Sequence, residues 1–359
     1  MKDKIPTIMV VAPNLSGKGG TETVLTKIIN YEKYEVNMTF KLFLSDGTTD
    51  EDWLTQLKLK KKNLYLNKYH GFRKNLKKIT FFIFNRDDLI LALGPKTILL
   101  AWIVRIAFFK KYKIISWIHF SLVNGHVKHA NLLKLADKHL AISTGIVQQL
   151  MDMGIDHQKI YKIYNPVEKE DTTIPVSGDD IRRIVYVGRM TYDGQKNLNF
   201  LMKAMSKLPQ YLTYELDMYG DGQDIDRLKN YCINILDDNI QVNWYGWVDN
   251  PWTAIQEADI LVLTSTYEGF GMVLAEAISR GLPVVSTDAP VGPSDIIKNG
   301  ENGFLVELEN IDDFAYKMNY AIEYFHNMDK LMIKRSISQL YEDSFYPRLE
   351  NALSSMLND

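Results

Sequence analysis

The sequence predicts an α/β protein built from two similar, doubly wound, mostly parallel sheets. Short apolar runs alternate with longer amphipathic segments along the whole chain, the pattern of buried strands separated by helices that cover both sheet faces. A length of 359 residues is too great for one ordinary core and suits two domains of roughly 150 residues each. Charge divides the chain in the same way. Residues 1–166 hold 26 Lys and Arg against 13 Asp and Glu, residues 167–359 hold 16 against 31, and the net charge of −2 therefore conceals halves of +13 and −15.

In the first half, Ile8 to Ala12, Lys41 to Leu44, Leu89 to Leu93, Ile114 to Ile118 and His139 to Ile142 read as strands. Arg183 to Val187, Tyr214 to Tyr219, Ile240 to Tyr245, Ile260 to Thr264 and Pro283 to Ser286 repeat the pattern in the second. The junction falls near Tyr164-Asn165-Pro166, because Pro166 cannot extend a ladder and the polar stretch Glu168 to Asp180 reads as a linker. Apolar spacing from Phe345 to Leu357 suits a closing helix, so the expected domains are 1–166 and 167–342, with a helix over 343–359 packing back on the first.

Composition excludes several classes. The single cysteine, Cys232, cannot form an internal disulfide, and the N-terminus has no signal-peptide layout, so a cytoplasmic protein is expected. The longest apolar run, Ile98 to Phe109, is interrupted by Arg105 and falls short of the ~20 residues of a spanning helix, so a buried helix is expected there. Lys58, Lys60, Lys61, Lys62, Lys68, Arg73, Lys74, Lys77 and Lys78 have no acidic residue among them. Such a face suits an anionic membrane, as a peripheral contact, or a phosphorylated glycan, the alternative being a solvated surface balanced by the acidic half. Without a recognition motif it does not point to nucleic acid.

Ligands of open α/β sheets collect at the C-terminal ends of the strands, and four segments lie there. Ser16-Gly17-Lys18-Gly19-Gly20-Thr21-Glu22 is a glycine-rich turn whose amides could approach a phosphate at a helix start, the alternative being a tight turn without ligand. Val187-Gly188-Arg189 with Gln195-Lys196-Asn197 places two cations on one strand-to-helix loop, which suits a diphosphate leaving without a metal. Glu268-Gly269-Phe270-Gly271-Met272-Val273-Leu274-Ala275-Glu276 sets two carboxylates eight positions apart around a glycine turn that opens a helix, as acceptors for sugar hydroxyls. A glycosidase pair facing across one bond is disfavoured by their placement on successive turns. Trp117-Ile118-His119-Phe120-Ser121 ends a strand with His119, which by itself is as well explained as a core histidine. No metal-ligand spacing is present, and no cofactor is expected.

As an ordered set, Gly19, Gly20, His119, Arg189, Lys196, Glu268 and Glu276 resemble the retaining glycosyltransferases of family 4 over nearly the whole chain. Within that family the chain is most similar to the bacterial lipopolysaccharide 1,6-galactosyltransferases, through Ser116 to Leu122, His139 to Ser143, Tyr164 to Val167, Tyr245-Gly246-Trp247, Leu263-Thr264-Ser265 and Gly292 to Asp295. Gly271 stands where that subgroup carries proline.

The resemblance implies the GT-B fold, two Rossmann-like domains facing across a cleft, the first binding acceptor and the second the nucleotide sugar. It implies transfer of galactose from UDP-galactose, with retention, to a lipopolysaccharide core or similar glycan or glycolipid. Other donors such as UDP-glucose or a UDP-N-acetylhexosamine, acting on teichoic acid, capsule or protein, are the alternative, and a non-catalytic nucleotide-sugar-binding partner is a further one. Carried over, Arg189 and Lys196 hold the diphosphate and Glu276 the ribose. Glu268 with Gly269, Phe270 and Gly271 faces the sugar, His119 sits beside it, and Gly19 and Gly20 close on the phosphate.

Overall fold

The computed structural model describes residues 5–15, 19–31, 38–122 and 127–358. Ser16, Gly17 and Lys18 of the first glycine-rich turn lie outside them. The chain divides into two compact units, Met1–Pro166 with Phe345–Asp359, and Val167–Ser344.

The first unit runs β1 (Thr7–Ala12), α1 (Gly20–Asn30), β2 (Thr39–Leu44), β3 (Leu64–Leu66), α2 (Gly71–Phe84), β4 (Leu89–Ala92), α3 (Pro95–Ala107), β5 (Lys113–Trp117), β6 (Lys138–Ala141), α4 (Thr144–Asp152) and β7 (Ile160–Lys162). The seven strands are ordered β3-β2-β1-β4-β5-β6-β7 and their pairings are parallel. Ile8 to Ala12 and Leu89 to Ala92 are buried throughout, as strands covered on both faces must be. Helix starts follow local chemistry. Pro95 occupies the first turn of α3, where its missing N–H costs nothing, and Ser143 caps α4 by accepting from the Ile146 amide.

The second unit runs β8 (Ile181–Val187), α5 (Leu198–Met205), β9 (Thr213–Tyr219), α6 (Ile225–Ile235), β10 (Ile240–Gly246), α7 (Pro251–Ala254), β11 (Ile260–Leu263), α8 (Met272–Ile278), β12 (Val284–Thr287), α9 (Pro293–Ile296), β13 (Gly303–Val306), α10 (Ile311–Phe325) and α11 (Lys330–Arg335). Its strand order is β10-β9-β8-β11-β12-β13, again with parallel pairings. Both halves are thus doubly wound Rossmann-like sheets. The last helix, α12 (Glu342–Asn358), lies along the first unit: Tyr346 stacks on Tyr31 and donates to the Lys27 carbonyl at 3.1 Å, and Lys113 Nζ donates to the Met356 carbonyl at 2.8 Å.

The ten expected strands all form, with ends shifted by one or two residues. Three short edge strands, β3, β7 and β13, are additions; an edge strand of three or four residues carries too little periodicity to be read from its sequence.

Two expectations are corrected. Glu168 to Asp180 is no free linker. Its Ile174 and Ser177 are buried, the Ile174 amide bonds to the Arg280 carbonyl, Glu170 pairs with Arg280, and Asp259 accepts from the Ser177 amide and hydroxyl. The polar residues that suggested a loop are the ones that tie it to the second unit. The apolar run Ile98 to Phe109 is not a buried helix either. Ile98, Ala101 and Val104 of α3 are buried, whereas Ile103, Ile106, Phe108 and Phe109 are exposed.

Candidate active site

Strand order in the second unit reverses beside β8, whose neighbours are β9 and β11. Loops leaving β8 and β11 therefore sit next to each other at the point where open α/β sheets place their ligands. Arg189 follows β8, and Glu268 follows β11. The Lys196 ammonium lies 2.7 Å from Glu268 Oε1, with both side chains largely buried. Several bonds stitch the two loops together. Thr264 Oγ1 donates to the Lys196 carbonyl at 2.8 Å, the Thr266 amide to the Gln195 carbonyl at 2.8 Å, Thr266 Oγ1 to the Gly194 carbonyl at 3.0 Å, and Gln195 Nε2 to the Tyr267 carbonyl at 3.2 Å.

Arg189 is held through its backbone. Buried Tyr186 donates its hydroxyl to the Arg189 carbonyl at 2.8 Å, and burial pushes the Tyr186 phenol far above its ordinary pKa, so it stays a donor. The exposed guanidinium makes no hydrogen bond or ion pair among the described residues. One positive charge is thus offered at the loop surface, and a second, on Lys196 of the same loop, is held by a carboxylate.

Glycines set how closely these loops approach. A Cβ on Gly220, at φ +137°, would fall 1.9 Å from the Gly188 carbonyl oxygen, and one on Gly222 would fall 1.9 Å from the Met190 oxygen. One on Gly292, at φ +99°, would fall 2.2 Å from the Phe270 oxygen. Backbone thus presses on backbone after β8, β9 and β11, an approach only glycine permits.

Gly269, Phe270 and Gly271 lead into α8, with Gly271 at φ +90° as its N-cap and Phe270 buried. Glu276 lies on α8, half-buried, and accepts from Trp252 Nε1 at 3.3 Å. Arg280 Nη1, one turn on, donates to the Glu276 carbonyl at 2.9 Å and its guanidinium stands 4.8 Å from the Trp252 ring centre. The structure therefore pairs Lys196 with Glu268 and sets the backbone before Arg189 beside them, a Cβ on Gly188 falling 3.7 Å from Lys196 Cε, with Glu276 on the helix that the Glu268 turn opens.

In the first unit, Gly19 caps α1 and Gly20 begins it. A Cβ on Gly19 would meet Glu22 Oε2 at 2.6 Å, so the buried Glu22 carboxylate packs under the turn. His119 follows β5. It is 7% exposed, its ring lies 4.6 Å from the Trp117 ring, and its Nε2 has no hydrogen-bond partner. Gln149 of α4 fixes the segment after it: its Oε1 accepts from the Leu122 amide at 2.7 Å and its Nε2 donates to Ser121 Oγ at 3.1 Å. A buried ring nitrogen without a partner at a strand's C-terminal end is an open hydrogen-bonding position.

Burial alone lowers the His119 pKa to about 3. An unfolded histidine titrates near 6.5, so between these values the unfolded chain binds the extra proton. The neutral ring's contribution to stability is complete above pH ~6.5 and is lost as pH falls toward 3. His119→Asn is expected to flatten the acid side of the stability profile, by up to ~1.4 kcal/mol per pH unit between pH 6 and 4. Denaturant titrations at several pH values test this, and parallel profiles for parent and variant would refute it. His139, lowered to about 4 chiefly by burial and hydrogen-bonded to Ser116 Oγ at 2.6 Å, leaves a residual slope in both.

Tyr186, Thr266, Trp252 and Gln149 were not singled out from the sequence. For Tyr186 and Thr266 the local signal was a position beside a strand end; Trp252 on α7 and Gln149 inside α4 carried none. Among the described residues no group of His, Cys, Asp or Glu is arranged to hold a metal ion, and no helix is long and apolar enough to cross a membrane.

This geometry has relatives. Residues 168–338 match the family model for glycosyl transferases group 1. The lipopolysaccharide 1,6-galactosyltransferase of Escherichia coli (strain K12) is 32% identical over 362 residues, covering 98% of this chain and 99% of that one. The chain belongs to the group 1 glycosyltransferases. Its structure superposes with a TM-score of 0.84 on the apo form of the lipopolysaccharide outer core galactosyltransferase WaaB, at 31% identity and with 98% and 99% of the two chains covered. The fold is also shared with the Anabaena protein HepE in complex with UDP-glucose, at a TM-score of 0.78, 20% identity and 97% and 99% coverage. The protein is thus a glycosyltransferase enzyme with two parallel-sheet Rossmann-like domains, as in the GT-B neighbours.

Proposed function

We propose that this group 1 glycosyltransferase moves galactose from UDP-galactose to a lipopolysaccharide core or similar cell-surface glycan, with retention of anomeric configuration and without a metal. The observation that carries the reading is the end-to-end match to a lipopolysaccharide 1,6-galactosyltransferase, with Arg189 and the Lys196–Glu268 pair on the adjacent loops that follow β8 and β11.

In this reading Arg189 and Lys196 neutralise the departing UDP as the sugar becomes oxocarbenium-like. Cations fixed in place before the reaction need no reorganisation as charge develops. Glu268 and the amides of Gly269, Phe270 and Gly271 face the sugar. Glu276 accepts from the ribose hydroxyls, its orientation set by Trp252 Nε1. His119 offers its unpartnered Nε2 to a donor-sugar hydroxyl, and Gly19 and Gly20 lie against phosphate. The first unit supplies the acceptor surface, the second the donor site. Peripheral contact with an anionic membrane at its cytoplasmic face belongs to the same reading.

The test is UDP release from UDP-galactose, UDP-glucose, UDP-N-acetylglucosamine and a GDP-sugar, with EDTA present and a cell-envelope glycan extract as acceptor. Acceptor-dependent release is expected from UDP-galactose, and Glu276→Ala is expected to raise KM for the donor ~10-fold or more, the cost of a lost charge-assisted hydrogen-bond partner. Release confined to UDP-glucose or a UDP-N-acetylhexosamine would replace the donor. Tight UDP binding with no turnover on any acceptor would make the chain a non-catalytic nucleotide-sugar binder.

A further inference from the structure

Between Trp53 and Ala136 the sequence holds 17 Lys and Arg and two acidic residues, Asp87 and Asp88. The fold commits both acids internally. Asp87 pairs with Lys41 at 2.5 Å, and Asp88 accepts from the Thr7 amide and hydroxyl. It also sorts the cations of α2. Lys74 and Lys78 turn to Asp46, at 2.9 and 2.8 Å. Arg73 and Lys77, on the same helix, have no ion-pair partner among the described residues.

The same helix exposes an apolar stripe. Phe72, Leu76 and Ile79 follow the spacing of one helix face, and Phe72 is 80% exposed, while Phe82 is buried beneath. α3 packs beside α2 and adds exposed Ile103 and Ile106. At the far end of both helices Phe84 is 78% and Phe109 91% exposed. Phe109 lines a cavity of about 460 Å³, and Phe84 immediately precedes its lining residue Asn85 in the chain; the lining also includes Arg86, Lys111, Asp87 and Asp88. Lys110 and Lys113, on the same wall, donate to the Ile83 and Met356 carbonyls, and Asp87 is taken up by Lys41, which leaves Arg86 and Lys111 as the cations turned to the opening.

An exposed phenylalanine is unremarkable alone, but several on two adjacent helices make a patch that soluble monomers avoid. Protein interfaces of comparable apolar content are depleted of lysine at their centre. Here lysine and arginine alternate with the apolar positions, which is the composition of a helix lying in the interface of an anionic bilayer, with rings below the headgroups and cations among them.

We propose that the α2–α3 face of the first unit docks on an anionic phospholipid bilayer, with Phe72, Phe84 and Phe109 inserted and with Arg73, Lys77, Arg86 and Lys111 among the headgroup phosphates. This deepens the membrane contact of the proposed function by naming its surface, and it rests on that reading only for its biological use. The docking itself does not require that galactose or any glycan is the substrate.

The experiment is co-sedimentation of the full chain with phosphatidylglycerol-containing vesicles and with pure phosphatidylcholine vesicles, alongside size-exclusion chromatography. Binding is expected to the anionic vesicles only and to weaken steeply from 50 to 500 mM salt, as exposed charges are screened. Phe84→Ser with Phe109→Ser is expected to lower partitioning at least ~10-fold, from the loss of two inserted rings. Arg73→Gln and Lys77→Gln should each lower it about 5-fold, from one surface charge apiece. UDP release with a delipidated acceptor is expected to be unchanged in all these variants, which separates failure of docking from failure of the transferase reading. No binding to anionic vesicles, equal binding to phosphatidylcholine, or binding that neither set of variants lowers would overturn the proposal. So would a dimer in free solution that the Phe84→Ser, Phe109→Ser variant dissociates, since the patch would then be a protein interface.

Discussion

Lys196→Ala is expected to lower acceptor-dependent kcat/KM by ~10³-fold, the scale on which one preorganised stabiliser of developing charge acts, and to cost ~3 kcal/mol of stability. The two losses have different origins. Activity falls because one of two cations is gone from the loop that follows β8. Stability falls because the ammonium sits 2.7 Å from Glu268 Oε1 and the Glu268 side chain is 9% exposed, so its removal strands a carboxylate away from water. The pair's own attraction is a poor measure of this cost, since two buried ions also pay desolvation.

A double substitution separates the effects. Lys196→Ala with Glu268→Ala removes the stranded charge, and it is expected to recover most of the thermal stability while recovering no activity. The measurements are Tm and UDP release across parent, two single variants and the double. A double variant as unstable as Lys196→Ala would show that the Glu268 carboxylate is not what the lysine supports. Unchanged kcat/KM in Lys196→Ala would remove Lys196 from the donor site altogether.

The second large effect concerns a residue with no side chain. Gly220→Ala is expected to destabilise the second unit by ~3 kcal/mol or more, combining a strained left-handed backbone with a direct clash. The φ of +137° is one that L residues rarely adopt, and the added Cβ would fall 1.9 Å from the Gly188 oxygen. The Gly188 amide already bonds to the Tyr219 carbonyl and the Gly220 amide to the Gly246 carbonyl, so neither loop can retreat without losing ladder-like bonds. Because Gly188 adjoins Arg189, any surviving fold is expected to show weakened UDP binding. Gly178→Ala, where an added Cβ meets nothing within 4 Å, is the control. Chemical denaturation of both tests the claim, and a Gly220→Ala variant as stable as the control would refute the close approach.

Much of this was legible in the sequence because strands buried on both faces announce themselves. Ile8 to Ala12 and Ile260 to Leu263 are nearly uninterrupted apolar runs, and their length, flanking glycines and alternation with amphipathic segments predict two doubly wound sheets. The positions of the candidate site were legible for a related reason. In such sheets the chemistry lies on the loops after the strands, so Arg189, Lys196 and Glu268 stood at predictable points, and their order along the chain matched a known family.

Tertiary structure decided what each charge faces. The polar stretch Glu168 to Asp180 looked like a linker, yet Ile174, Ser177 and Glu170 tie it down, because its partners Arg280 and Asp259 lie some 80 to 110 residues away in sequence and local pattern carries no trace of them. The run Ile98 to Phe109 looked buried, since hydrophobicity records what a side chain prefers and not whether a neighbour arrives to cover it; α2 and β5 leave Ile103, Ile106 and Phe109 bare. Lys74 and Arg73 are adjacent in sequence, and only the fold turns one to Asp46 and leaves the other to solvent. The sequence by itself determined two sheets, the positions of all their strands but the short edge strands β3, β7 and β13, and a family of chemistry, through local periodicity and residue order. Packing between distant segments determined that Lys196 is neutralised by Glu268, that glycine is obligatory at 220, and that a basic, apolar face remains uncovered, because burial and electrostatic pairing depend on separations in space that short-range patterning does not encode.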